Sequence, residues 1–148
     1  MSNRISHHEV DIPMPNKTNP GARILVVDDD EAIRTLHAAI FIYEGYRVET
    51  TADGADALDR LIAGQFDLLI TDWNLPGLNG EQLVIAMRDA GIRIPVVMIS
   101  GSLAECPLSA RMAREVTAAL PKPVRSAEVL AAIGTALYSV QPRLRPAA

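Results

Sequence analysis

The sequence holds one cysteine, Cys106, and only two lysines, Lys17 and Lys122, among its 148 residues. A single cysteine excludes an internal disulfide framework. Long apolar runs are missing as well. Runs such as Ile24-Leu25-Val26-Val27 and Pro95-Val96-Val97-Met98-Ile99 fall far short of the roughly 20 residues that span a bilayer, so no membrane insertion is expected. The opening Met-Ser-Asn-Arg-Ile-Ser-His-His-Glu-Val lacks the apolar centre of a signal peptide, and the cytoplasm is the expected location. Basic charge is not in excess either: 18 acidic side chains stand against 14 basic ones. No nucleic-acid partner is expected, because the arginines are scattered and no recognition element is left over. With 49% apolar residues the chain is not of disordered composition, and its length suits one domain.

What is present is unevenly placed. Residues 1–74 hold 13 acidic and 6 basic side chains, and residues 75–148 hold 5 and 8. Four acidic residues run together at Asp28-Asp29-Asp30-Glu31, directly after the aliphatic run that ends at Val27. Residues 1–22 have no periodicity and contain Pro13, Pro15 and Pro20, which reads as a flexible leader outside the core.

From Arg23 onward, short β-like runs alternate with helical patterns. Strands are expected at Arg23–Asp28, Arg47–Thr50, Asp67–Asp72, Pro95–Ser100 and near Ala119–Leu120. The helical stripes are Ile33, Leu36 and Ile40, then Ala55, Leu58 and Ile62, then Leu83, Ala86, Met87 and Ala90, and finally Leu130, Ile133 and Leu137. Gly45 and Gly64 are expected as left-handed C-terminal caps, and Ser126 as the cap of the last helix. A further helix over Ser102–Thr117 is the least regular, because Pro107 interrupts it. Nearly all-apolar strands separated by helices predict a doubly wound α/β domain with a five-stranded parallel sheet buried on both faces. In such sheets the functional crevice lies beyond the carboxyl ends of the strands.

Those ends carry Asp28 and Asp29, Asp72, Ser100 and Lys122. A lone aspartate there is commonly a helix cap; five polar ends converging is a different case. If the first and third strands are neighbours, three carboxylates crowd together and raise one another's pKa unless a cation compensates. Oxygen ligands without nearby His or Cys favour Mg²⁺, with Mn²⁺ as an alternative. His7, His8 and His37 lack companion ligands and are not expected to bind metal.

The run Ile24 to Asp30, the segment Asp72-Trp73-Asn74-Leu75-Pro76-Gly77-Leu78-Asn79-Gly80, Ser100-Gly101 and Lys122-Pro123 together resemble the receiver domain of two-component response regulators, over residues 23–140. The resemblance implies a flavodoxin-like (β/α)5 fold with strand order 2-1-3-4-5. It implies that Asp72 is the phosphoacceptor and that Asp28, Asp29 and Asp72, with the backbone carbonyl of Asn74, hold the Mg²⁺. Lys122 and Ser100 would stabilise charge on the phosphoryl oxygens. The phosphodonor would be a sensor histidine kinase or a histidine phosphotransfer protein. Asn74 and Ser102 occupy positions that in this family influence acyl-phosphate lifetime, and Gly101 would leave the phosphoryl group an entry path. Leaving residues 141–148 as a tail, the chain is expected to act as a single-domain regulator that catalyses only its own phosphorylation and dephosphorylation.

One position departs from the family pattern. Where many receivers place Tyr or Phe three residues before the lysine, this chain has Ala119. That keeps open an alternative, a receiver fold used for phosphorylation-independent docking. A haloacid-dehalogenase-like phosphatase also matches Asp28-Asp29-Asp30, but no later acidic pair follows Lys122 and there is no cap domain. Arg111, Arg114 and Arg125 lie on or near the fourth-helix and fifth-strand face that receivers often use for partners.

Overall fold

A computed structural model describes the backbone of residues 21–144 and the side chains of residues 21–138. Five strands, β1 (Arg23–Val27), β2 (Arg47–Thr51), β3 (Leu68–Asp72), β4 (Val96–Ser100) and β5 (Ala118–Pro121), alternate with five helices, α1 (Glu31–Tyr43), α2 (Gly54–Ala63), α3 (Gly80–Asp89), α4 (Ala110–Glu115) and α5 (Ser126–Leu144). All strand pairs are parallel, in the order β2-β1-β3-β4-β5. The three central strands are apolar on both faces because both faces are covered. Alternate residues supply two cores: Ile24, Val26, Leu68, Ile70, Val97 and Ile99 pack under α1 and α5. Leu25, Val27, Leu69, Val96 and Met98 pack under α2, α3 and α4.

The helices start where polar side chains satisfy the free N–H groups of the first turn. Asp30 accepts from Ala32 and Ile33, Asp53 from Ala55 and Asp56, and Ser109 from Met112. Asn79 and Gln82 form a reciprocal capping box on α3.

Several expectations are corrected by the packing. Ala22, assigned to the leader, is buried in the core, and its carbonyl accepts the Arg47 N–H at 2.9 Å. The rest of the leader, residues 1–20, lies outside the described residues, as do residues 145–148; α5 runs on to Leu144 through part of the expected tail. The buried face of α1 is His37 and Phe41, not Leu36, which is 51% exposed. An aromatic stack between His37 and Phe41 lets a nominally polar residue face the core. On α2 the buried set is Gly54, Ala57 and Leu61, one position away from the expected Ala55 and Ile62 stripe. Gly54 faces inward because an added Cβ would collide with the Leu78 carbonyl.

Gly45 has the expected positive φ of 103°, whereas Gly64 is extended, with φ −109°. The last helix already includes Ser126. Its first turn is closed by Arg125, whose carbonyl accepts from Val129 and whose N–H donates to Glu128. The expected Ser102–Thr117 helix contracts to the six residues of α4. One turn forms where Cys106 N–H reaches the Ser102 carbonyl, and then Pro107, lacking an N–H, ends it.

α4 is held from below by Arg88. Its guanidinium donates to Glu115 Oε1 at 2.8 Å, the Glu115 carbonyl at 2.9 Å, and the carbonyls of Ile92 and Ile94 at 2.9 and 2.8 Å. Arg88→Met is expected to cost about 2–4 kcal/mol, since it strands a half-buried carboxylate and three carbonyls. Urea unfolding of the variant measures this directly.

Candidate functional site

The topology gathers the polar strand ends. β1 and β3 are neighbours and β4 lies beside β3, so Asp28 and Asp29 after β1, Asp72 closing β3 and Ser100 closing β4 share one edge of the sheet. Asp28 and Asp72 are each 5% exposed, whereas Asp29 is open to solvent. One carboxylate oxygen from each of the three lies within 4.8 Å of the others.

Lys122, just past β5, reaches in from the side. Its Nζ donates to Asp72 Oδ2 at 2.8 Å and lies 3.5 Å from Asp28 Oδ2. The remaining oxygens are held by the main chain. Asp28 Oδ1 accepts the Asp30 N–H at 2.9 Å, and Asp72 Oδ1 accepts the Asn74 N–H at 3.2 Å. Arg34, from α1, donates to the Asp28 carbonyl at 2.8 Å. Asp30, though part of the acidic run, is spent as a helix cap. The Asn-Leu-Pro-Gly turn after Asp72 uses Gly77 at φ 76°, a left-handed conformation suited to glycine.

The Ser100 hydroxyl is engaged by Ser102. Its Oγ accepts the Ser102 N–H at 3.1 Å and lies 3.2 Å from Ser102 Oγ. Beside it an added Cβ on Gly101 would meet Lys122 Cβ at 3.8 Å, ordinary contact, so the approach over Gly101 is open. Ala119 pairs with Met98 across the β4–β5 ladder and offers no ring to this edge.

The electrostatics correct one expectation. Burial, more than the neighbouring carboxylates, lifts the Asp28 pKa above the ordinary value; the Asp30 N–H and the Lys122 charge oppose it, and the Asp72 charge adds a smaller upward push. Burial works against the Lys122 ammonium, yet its hydrogen bond to Asp72 and the charges of Asp72 and Asp28 outweigh it and hold its pKa above the ordinary lysine value. An all-oxygen set of three aspartates, two of them buried with a single lysine between, fits a hard divalent cation such as Mg²⁺.

Sequence reading weighed His37 only as a metal ligand and did not expect its burial in the core. Burial lowers its pKa below 6.5 against the opposing pull of the Asp28 charge. The unfolded chain therefore takes up a proton near pH 6.5 and the folded chain only at lower pH, so the stability is complete above pH 6.5 and falls as the pH drops below it. Asp28 acts with the opposite sign in the carboxylate range above 3.8. The pH dependence of urea midpoints is expected to flatten between pH 6.5 and the folded-state value in His37→Phe relative to wild type.

Residues 24–134 match the response regulator receiver domain. The chain is 34% identical over 123 residues to the response regulator MprA of Mycobacterium avium, covering 81% of this chain and 53% of that protein. It therefore spans about half the length of the curated relatives it matches. Among solved structures, a CheY-like response regulator receiver domain protein from Methanospirillum hungatei superposes with a TM-score of 0.72 at 27% identity, covering 83% of this chain and 98% of that one. The receiver domain of sensor histidine kinase PA1611 from Pseudomonas aeruginosa, with magnesium coordinated in its active site cleft, superposes with a TM-score of 0.72 at 25% identity over 79% of this chain and 98% of that one. Among the described residues, no helix is long and apolar enough to cross a membrane.

Proposed function

The chain belongs to the response regulator receiver domain family, and from that premise we propose that it accepts a phosphoryl group onto Asp72 from a phosphohistidine donor. The donor is a sensor histidine kinase or a histidine phosphotransfer protein, and the modified domain signals by phosphorylation-dependent partner binding or by passing the group on. The observation that carries this reading is the trio Asp28, Asp29 and Asp72 with Lys122 Nζ 2.8 Å from Asp72.

A carboxylate oxygen of Asp72 attacks phosphorus in line as the bond from phosphorus to the donor imidazole breaks; the imidazole leaves with the bonding electrons and is protonated. Asp28, Asp29 and Asp72, with the main-chain carbonyl of Asn74, would hold Mg²⁺, which supplies charge neutralisation at the phosphoryl oxygens. The magnesium in the PA1611 receiver supports that assignment. Lys122 holds Asp72 in place before reaction and offers its charge to the transferred group afterwards. Ser100 supplies a hydroxyl to the same group once it leaves Ser102. In this reading the chain catalyses only its own phosphorylation and dephosphorylation and works in the cytoplasm.

Incubation with acetyl phosphate and Mg²⁺ should add one phosphoryl group to the intact mass and change the emission of Trp73, the residue next to Asp72. Lys122→Ala is expected to slow that gain on the order of 10–100-fold by removing a positioned cation. Lys122→Arg should recover only part of the rate, because a planar guanidinium cannot serve as a compact point charge there. Equal rates in all three proteins would remove Lys122 from the reaction.

A phosphorylation-independent docking module has one observation in its favour, the methyl group of Ala119 where many receivers carry a mobile ring. Partner affinity unchanged by Asp72→Asn and by Mg²⁺ removal would select it.

A further inference from the structure

The far end of the sheet carries charge of the opposite sign. Between the approach to β4 and the join of α4 to β5, at the amino ends of those strands and away from Asp72, lies a cleft of about 260 Å³. Arg88, Arg93, Arg114 and Glu115 wall it, with Pro95 and Val116 as its apolar share. Three guanidinium groups and one carboxylate thus face one small space, and phosphoryl transfer onto Asp72 uses none of them.

One of the three cations is already matched. Arg88, whose side chain is only 9% exposed, commits its guanidinium to Glu115 Oε1 and to three main-chain carbonyls. It is held in a fixed place, and its charge cancels that of Glu115. Arg93 and Arg114 differ. Both are exposed, and the side chain of neither has an ion-pair or hydrogen-bond partner among the described residues. The cleft therefore carries two uncompensated positive charges beside a third that is paired. Like charges facing one recess raise its potential, and an anion between them is drawn in.

Size and wall chemistry narrow the class of anion. The volume lies just below the roughly 300 Å³ at which sites for drug-sized molecules begin, so the occupant is compact. Pro95 and Val116 are the only apolar residues in the walls, and a ring or an acyl chain finds little there to pack against. A guanidinium presents its N–H groups as a planar fork that pairs two oxygens at once, so two free forks suit two linked oxyanion groups. A diphosphate meets all three conditions.

We propose that the cleft between the approaches to β4 and β5 binds a compact phosphoryl polyanion of the diphosphate class, held by Arg93 and Arg114 beside the fixed charge of Arg88. Glu115 opposes the ligand's charge and limits its affinity. Because Arg93 precedes β4 and Arg114 lies on α4, the bound anion also ties α4 to the sheet. The site does not rest on the phosphoacceptor reading, since it shares no residue with the acidic trio or with Lys122.

Inorganic diphosphate, added to the full chain in magnesium-free buffer at low salt, is the probe. In amide-resolved NMR it should shift Arg93, Glu115 and Thr117 saturably, with a dissociation constant on the order of 1 mM for so open a site, while Asn74 and Gly101 at the acidic end stay unmoved. Malonate, a compact dicarboxylate, should bind at least about tenfold more weakly. Adenosine diphosphate separates the sources: affinity equal to that of diphosphate admits a diphosphate ester, weaker affinity restricts the site to the free anion, and either upholds the proposal. Arg93→Gln and Arg114→Gln, both at exposed positions, should each weaken diphosphate about five- to tenfold. Arg93→Lys, which keeps the charge without the fork, should fall between Arg93→Gln and wild type. Glu115→Gln, which keeps an oxygen for Arg88, should tighten binding about two- to fivefold, an effect that a purely structural role of Glu115 would not produce. Asp72→Asn should bind as wild type does, so this proposal and the phosphoacceptor reading fail separately. Non-saturating shifts spread over the surface, equal affinity for malonate, or undiminished binding when Arg93→Gln and Arg114→Gln are combined would each overturn it.

Discussion

Asp72→Asn is expected to abolish phosphoryl incorporation altogether while leaving the protein folded. The amide is close to isosteric and can still accept the Asn74 N–H that now reaches Asp72 Oδ1 at 3.2 Å. It cannot attack phosphorus to form an acyl phosphate. Lys122 keeps a partner in Asp28, 3.5 Å away, so the ammonium is not stranded. Asp28 and Asp29, which hold the cation in the proposed reading, remain, and a weakened Mg²⁺ response of Trp73 should persist without any gain in mass. Intact-mass measurement after acetyl phosphate treatment decides the matter. Incorporation into the variant at the wild-type level would place the acceptor elsewhere.

Gly80→Ala should damage both stability and function through a single contact. A Cβ there would lie 2.6 Å from the Asp72 carbonyl oxygen and 2.8 Å from Trp73 Cα, and backbone atoms cannot swing aside as a side chain would. The Gly80 N–H already donates to the Trp73 carbonyl at 2.7 Å, so the start of α3 is clamped to the end of β3. Forcing them apart is expected to cost about 1–3 kcal/mol in urea unfolding, as overpacking typically does. Displacing the backbone of Asp72 should also slow phosphoryl uptake on the order of 100-fold, the usual penalty for misplacing a reacting group by about 1 Å. Gly101→Ala is the matched control. Its Cβ would meet Lys122 Cβ at 3.8 Å, and its stability should stay within about 0.5 kcal/mol of wild type.

The strands and the gathering of Asp28, Asp29, Asp72 and Lys122 at one edge were legible in the sequence because their signals are local and redundant. Ile24 to Val27 and Val96 to Ile99 are apolar throughout, and each strand run ends on a residue whose polarity has no structural use in a core. The helix faces were less legible. A stripe chosen by apolar identity selects Leu36 and Ile62, both exposed, over His37 and Gly54, which are buried for reasons of stacking and of close backbone approach. The region after Ser100 was overextended, since apolar spacing says nothing about the helical turn that Pro107 removes. The raised pKa of Asp28 likewise depends on burial, a tertiary property, more than on the acidic run visible in the chain. The cleft walled by Arg93 and Arg114 joins the approaches to β4 and β5, segments apart in sequence, and no local pattern announces it.

The central claim is that Asp72 is the atom-bearing end of the reaction. The most direct test is to treat the full chain with acetyl phosphate and Mg²⁺, then map the modification by peptide mass with and without hydroxylamine, which cleaves acyl phosphates. One phosphoryl group on the peptide containing Asp72, removed by hydroxylamine and absent when Mg²⁺ is chelated, is the result this account predicts. A modification located on a histidine or serine, or none at all under conditions in which Trp73 reports bound Mg²⁺, would contradict it.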